Sequence, residues 1–260
     1  MQLFERLALI RDRMGWIYGS EDLCVLLYSL VKRMQPGIVI ELGSGFGVTT
    51  AWIAAAMKES GRGVLHTYDN GSHFESGAGQ RVLQELEAPL RAFAAAGDER
   101  PDYLVYLAPM LRWVDVMDHV VAHQCDIDFK SVASSAAFNA GVDIVFSDFN
   151  HSPVSIQSLL SAFLPRLADC ASIFIDSAST HRLSYLTLEK IVADLNSNKL
   201  PLGILAGLSV TEEAALICKV QRSRFRLMHL IEAHVRAQNS TAWISIEPVD
   251  TVATAANHFH

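Results

Sequence analysis

The chain has 260 residues, half of them hydrophobic, with a net charge of −7 and four cysteines. That composition excludes a generally disordered chain and argues against a surface that coats nucleic acid, because phosphate binding requires a basic face. Cys24, Cys125, Cys170 and Cys218 fit neither a CxxC pair nor a zinc spacing, which points to a reduced protein rather than a disulfide scaffold. The first thirteen residues are amphipathic and mixed in charge, unlike a secretory leader, and no run of 18 apolar residues occurs. The expectation is a cytoplasmic protein with no membrane partner.

In chain order, residues 3–14 read as a helix, followed by an aromatic turn over Gly15, Trp16, Ile17, Tyr18 and Gly19. Ser20 can cap a second helix from Glu21 to about Met34, which Pro36 and Gly37 stop. A buried strand is predicted over 38–42, a helix from there to about Glu59, and a strand over 64–69. Val82, Leu86, Leu90 and Phe93 carry helical spacing through 78–96. Strand, helix and strand in this order form a βαβ unit and imply a parallel sheet.

Beyond it, 103–107 reads as a strand, 111–123 as a helix, 125–129 as a strand and 131–139 as a short helix. Residues 142–148 read as a buried strand, 154–168 as a helix, 172–176 as a strand and 184–196 as a helix. Strands are expected at 202–205 and 214–220, a helix at 225–237 and a strand at 242–246. No repeat or linker interrupts the chain, so one domain is expected.

The most informative stretch runs from Ile38 to Thr50. An apolar strand carries Glu41 near its end, and Gly43, Gly45 and Gly47 follow at alternate positions before a helix. Such a turn bares backbone where a ligand can approach. A dinucleotide fingerprint would need its third glycine at position 48, which is Val48, and a carboxylate so close would repel a pyrophosphate. It would accept an ammonium or sulfonium. An ordinary strand–turn–helix junction and another kind of nucleotide site are the alternatives. Asp69 ends the second predicted strand, where it can accept ribose hydroxyls or be a solvated strand-end acid. Asp148 and Asp176 also end apolar strands, which puts four acids at one rim of the sheet.

The run Glu41-Leu42-Gly43-Ser44-Gly45-Phe46-Gly47 resembles the first motif of class I S-adenosylmethionine-dependent methyltransferases. Asp148 and His151 at Asp-x-x-His spacing, then Leu164-Pro165-Arg166-Leu167, then the strand ending at Asp176, resemble the small-molecule O-methyltransferase branch. The likeness covers about residues 20–220. It implies an α/β fold, a Rossmann-like three-layer sandwich whose seven-stranded, mostly parallel sheet has its last strand antiparallel. It implies a single methyltransferase domain over 1–260, with N-terminal helices over 1–35, a cofactor-binding core over 36–220 and a C-terminal extension over 221–260.

The same resemblance assigns S-adenosylmethionine to Glu41, Gly43, Ser44, Gly45, Gly47 and Asp69, with Asp69 on the ribose. Several members of the branch hold a divalent cation through acids that match Asp148 and Asp176, and oxygen ligands suit Mg²⁺. This chain has Ser177 where a second acid or an asparagine is expected, so Asp176 is read either as a metal ligand or as a group that orients substrate. His151 is the candidate general base, helped by Asp148, and His181 is a second candidate. A metal that acidifies the acceptor, and a helix-entry role for His151, are the competing readings. Either Asp126 or Asp128 lies near the adenine, and Tyr18 and Ser20 match residues that cover the methionine end. Separately, Asp115, His119 and His123 share one face if 111–123 is helical, as a metal site or a solvated face.

The expected activity is methyl transfer to a small-molecule acceptor at oxygen, by in-line displacement. N-methylation of a metabolite or peptide, and a methyltransferase-like protein that binds cofactor without catalysis, are the alternatives. The acceptor region is expected in 98–123 and the tail. Nucleic acid is a disfavoured partner, since the only basic stretch is Arg222–Arg226 and no Asn-Pro-Pro-Tyr motif occurs. A homo-oligomer is compatible with the sequence.

Overall fold

The structure is a computed structural model that describes residues 2–15, 21–88, 90–94, 103–178, 181–231 and 240–249. It divides into two compact units, Met1–Ile127 and Asp128–His260. Trp16 and Tyr18 of the predicted aromatic turn, and Ser20, the predicted helix cap, lie outside the described residues.

The first unit begins with α1 (Leu3–Ile10), whose end widens into a π-helical turn over Arg11–Gly15, and α2 (Glu21–Met34). Strand β1 (Ile38–Leu42) leads through the glycine turn into α3 (Val48–Ser60), and β2 (Val64–Asp69) follows. Residues Val48 to Met57 of α3 are all buried, and Gly61 in left-handed conformation closes the helix by donating to the Lys58 and Met57 carbonyls. The helix expected over 78–96 is broken. After α4 (Ser72–Glu75), α5 (Gly77–Glu85) ends where Leu86 turns extended, three residues before a proline, and α6 (Leu90–Ala94) starts afresh.

The strand expected over 103–107 is instead the start of a helix, α7 (Tyr103–Val114). Its buried residues are Tyr103, Tyr106, Leu107, Met110, Leu111 and Val114, a continuous stripe at helical period that passes through Pro109. Asp115 then adopts a φ of 70°, so the helix cannot continue to His123. A 3-10 turn (Met117–His119) and β3 (Val120–Gln124) take its place, so this strand ends just before the expected 125–129 begins. β1, β2 and β3 pair in parallel, with Glu41 opposite Thr67 and Tyr68 opposite His123.

The second unit opens with α8 (Phe129–Ala133) and β4 (Val142–Ser147), then α9 (Pro153–Phe163) and β5 (Leu167–Asp176). α10 (Arg182–Asn196), α11 (Leu202–Leu205) and α12 (Val210–Arg222) precede a long antiparallel pair, β6 (Ser223–Ile231) and β7 (Ser240–Pro248). Three expectations fail here. Residues 202–205 and 214–220 are helical, the second because Ser209 and Glu212 form a reciprocal capping box at the start of α12. Residues 225–231 are strand rather than helix. β6 pairs with β7, and the Asn196 side chain brackets Phe225 on β6, donating to its carbonyl at 2.7 Å and accepting its N–H at 2.9 Å.

The strands form a seven-stranded sheet in the order β3-β2-β1-β4-β5-β7-β6. β4 and β5 pair in parallel, while β7 runs antiparallel to both β5 and β6, so the last strand has the expected sense. Helices flank the strands in both units, giving the expected Rossmann-like α/β fold. Among the described residues no helix is long and apolar enough to cross a membrane.

Two buried features tie β1, β2, α3 and α7 together. Gly47 sits at a φ of 76°, and a Cβ there would come within 2.4 Å of Leu107 Cδ1 and 2.7 Å of Met110 Cε on α7. Glu41 is wholly buried in β1, with Oε2 accepting the Thr50 hydroxyl at 2.5 Å and the Thr67 hydroxyl at 2.6 Å. Burial pushes its carboxyl up to about 7, against the pull of those two hydroxyls.

Gly47→Ala combines left-handed strain with overpacking, and urea denaturation is expected to show a loss of about 2–4 kcal/mol. Glu41 makes stability pH-dependent. The unfolded chain loses this proton near 4.5 and the folded chain keeps it to about 7, so stability falls as pH rises through that window. The slope approaches about 1.4 kcal/mol per pH unit, and E41Q is expected to remove it in denaturation curves taken at stepped pH.

Candidate functional site

In the first unit the glycine turn is short because three successive alternate residues take left-handed backbone. Gly43, Gly45 and Gly47 have φ of 93°, 51° and 76°. The Gly43 N–H donates to Tyr68 O at 2.8 Å, which joins the turn to the end of β2, and the Gly47 N–H donates to Ser44 O at 2.7 Å. Asp69, nearly buried, is drawn into the same turn. Its Oδ2 accepts the Gly45 N–H at 2.9 Å and its Oδ1 accepts the Gly71 N–H at 2.7 Å. Each carboxylate oxygen has two lone-pair directions, so Asp69 keeps acceptor capacity for further hydroxyls.

Glu41, Gly43, Ser44, Gly45, Gly47 and Asp69 are thus brought together as the sequence predicts. The Glu41 Oε1 and the Ser44 hydroxyl are buried with no hydrogen-bond partner among the described residues. An orphaned carboxylate oxygen beside bared backbone fits a ligand that carries an ammonium.

Sequence reasoning missed the residues that hold this cradle. Thr67 reaches Glu41 only because β1 and β2 set them opposite each other, a register no local pattern reveals. Tyr106 donates to Phe46 O at 3.1 Å, and Tyr103 lies beside Ser44. The unbroken apolar stripe of α7 was the available signal for both. It carries residues 103–114, expected in the acceptor region, onto the glycine turn.

Asp126 and Asp128 do not share a strand. Asp126 accepts from Asn70 Nδ2 at 3.0 Å, next to Asp69, whereas Asp128 caps α8 by accepting the Ser131 N–H at 2.7 Å. The face proposed for Asp115, His119 and His123 does not form. Asp115 pairs with Lys58, His119 lies against Gly63 O at 3.0 Å, and His123 stacks on Tyr68 with ring centroids 4.3 Å apart.

In the second unit, β4 delivers Asp148 and a tight turn delivers His151. Asn150 Oδ1 accepts the Ser152 N–H, Ser152 caps α9 through the Ser155 N–H, and Pro153 occupies the first turn. His151 Nε2 stands 3.7 Å from Asp148 Oδ1, while its Nδ1 is buried without a hydrogen-bond partner among the described residues. The His181 ring stacks on His151 at 5.6 Å. Burial first, and the neighbouring His181 second, hold His151 below its usual value, which keeps it neutral near pH 7.

These residues face a cavity of about 660 Å³ whose wall includes Phe149, Pro153, Arg182 and Leu183. A smaller cavity of about 220 Å³ beside Lys130, Ser161 and Glu212 contains none of the predicted site residues.

Asp176 is positioned differently from a metal ligand with free oxygens. Its Oδ1 accepts the Thr241 hydroxyl at 2.7 Å and its Oδ2 accepts the Ser177 hydroxyl at 3.3 Å. Among the described residues no three His, Cys, Asp or Glu side chains converge to hold a cation. A hydroxyl occupies the place of the missing acid and spends its proton on Asp176, so this donor set does not fit a resident divalent ion.

Comparison with known proteins bears on the family and the fold. The family described as a methyltransferase domain matches residues 40–178, from β1 to just past the end of β5. No curated protein sequence matches the chain. Among solved structures, the chain is similar to the O-methyltransferase TomG from Streptomyces achromogenes, involved in tomaymycin synthesis and solved with SAM. That match has 16% identity, covers 94% of this chain and 90% of that one, and has a TM-score of 0.52. A methyltransferase from Geobacter sulfurreducens matches at 14% identity over 94% and 89%, with a TM-score of 0.51. The O-methyltransferase from Bacillus cereus, solved with SAH, matches at 10% over 94% and 90%, with a TM-score of 0.50. At these identities the structures speak for the fold. With more than half of its length matched by the family, the chain belongs to the methyltransferase domain family.

Proposed function

We propose that this protein, as a single methyltransferase domain, transfers a methyl group from S-adenosylmethionine to a hydroxyl of a small molecule. The observation that carries the reading is the buried Glu41 Oε1, without a hydrogen-bond partner among the described residues, beside a three-glycine turn in a chain of this family. The cofactor supplies a methyl on a sulfonium, already an excellent leaving group. The protein's own tasks are to bind, to align and to take a proton.

Glu41 receives the cofactor's ammonium, the glycine turn passes beneath its amino-acid end, and Asp69 uses its spare lone pairs for the ribose hydroxyls. His151 takes the acceptor's proton, and the Asp148 carboxylate, 3.7 Å from Nε2, stabilises the imidazolium once formed. An amine attacks through its own lone pair, whereas a hydroxyl gains from losing its proton in the transition state. A neutral, desolvated histidine therefore supports oxygen as the methyl's destination. No step is assigned to a metal, because the donor set at Asp148 and Asp176 does not fit one. The cavity lined by Phe149 and Leu183 suits an acceptor with an apolar body.

Calorimetry with S-adenosylmethionine and S-adenosylhomocysteine tests the cofactor assignment. Both are expected to bind, equally well in EDTA and in Mg²⁺, and failure of both to bind removes the reading. Because an ammonium favours the ionised Glu41, binding near pH 6.5 is expected to release protons, read as a heat that changes with the buffer's ionisation enthalpy. E41Q should abolish that difference. Once an acceptor is found by screening hydroxylated small molecules, His151→Ala is expected to lower kcat by about 10²–10⁴ and leave the cofactor Kd unchanged. An equal loss of cofactor affinity would place His151 outside the proton-transfer role.

A further inference from the structure

The start of α7 brings the phenol of Tyr103 to the glycine turn. Tyr103 is 1% exposed, and its hydroxyl has no hydrogen-bond partner among the described residues. It lies beside the Ser44 hydroxyl, likewise buried, near enough for a weak hydrogen-bonding pull between the two but outside normal hydrogen-bond geometry, and the carboxylates of Asp69 and Glu41 are close enough to act on it.

The ring is held in place rather than parked there. Phe74 meets it edge-on at 5.9 Å, and a Cβ on Gly71 would come 3.0 Å from Tyr103 Cβ. A glycine at position 71 therefore leaves room for this side chain. Burial, and Asp69 next, push the phenol well above 10, so it stays a neutral donor at any working pH.

Three buried polar atoms thus share one locality with no hydrogen bond of normal geometry among the described residues: two neutral O–H donors on Ser44 and Tyr103, and one carboxylate acceptor on Glu41. Unmade hydrogen bonds of this kind are costly in an interior and are rarely clustered without a ligand to complete them. A free amino acid group is their chemical complement. Its carboxylate accepts from both hydroxyls, and its ammonium donates to Glu41 Oε1.

We propose that Tyr103 is a cofactor-binding residue whose hydroxyl, together with that of Ser44, holds the carboxylate of the cofactor's amino-acid end. The proposal rests on the S-adenosylmethionine reading above and adds to it a contact from α7.

The test compares wild type and Tyr103→Phe by calorimetry with S-adenosylhomocysteine and with 5′-methylthioadenosine, which lacks the amino-acid end. Tyr103→Phe is expected to weaken S-adenosylhomocysteine about tenfold or more, as for a hydrogen bond to a charged group, and to leave methylthioadenosine within twofold. The ligand-free variant should melt at the wild-type temperature or above, because it loses only an unpaired hydroxyl. Unchanged S-adenosylhomocysteine affinity overturns the proposal while leaving the cofactor reading intact. Equal weakening of both ligands, or a lower melting temperature without ligand, assigns the phenol a structural role and overturns it too. Failure of the wild type to bind S-adenosylhomocysteine removes both readings. If Tyr103→Phe does not fold, Ser44→Ala carries the same comparison, with the same selective loss expected.

Discussion

A carboxylate taken wholly out of water is the constraint around which the first unit is arranged. Glu41 sits in β1, parallel to β2, and no positively charged group among the described residues of the unit is recorded against it. Two threonine hydroxyls meet one of its oxygens, one from the neighbouring strand and one from the helix beyond the glycine turn. Their reach depends on the register of β1 with β2 and on the tightness of the turn that brings α3 back. Desolvation still dominates, and the second oxygen is left over. A fold that tolerates such a residue for stability alone would do better with an apolar one. The arrangement makes sense as a receptor waiting for a cation.

The glycine turn was legible because its signal is local. An apolar strand, an acid and three glycines at alternate positions occupy one short stretch, and the backbone follows from those residue types. Gly47 illustrates where legibility stopped. Its position, too early for a dinucleotide motif, was visible in the sequence, but its reason is the approach of Leu107 and Met110, sixty residues on. The Asp148–His151 turn was equally plain, since Asn150, Ser152 and Pro153 write out a helix start.

What stayed hidden was mostly non-local. The stripe from Tyr103 to Val114 is regular, yet reading it in two windows on either side of Pro109 turned one helix into a strand and a piece of another. Residues 225–231 carry good helix formers, and pairing with β7 overrides that preference. At 214–220 the branched and apolar residues suggested a strand, while the decisive Ser209–Glu212 cap lay just upstream. At Ser177 the departure from the family pattern was visible, but not its consequence, a hydroxyl that turns back onto Asp176.

The Asn196 amide on Phe225 has a meaning beyond holding a helix to a strand. β6 ends the strand order, and its outward peptide groups would otherwise offer a template to any extended chain nearby. By supplying one donor and one acceptor at the spacing of a neighbouring peptide, Asn196 imitates the strand that is not there. The protein thereby blunts one end of its sheet against edge-to-edge aggregation, using a single side chain in place of a covering element.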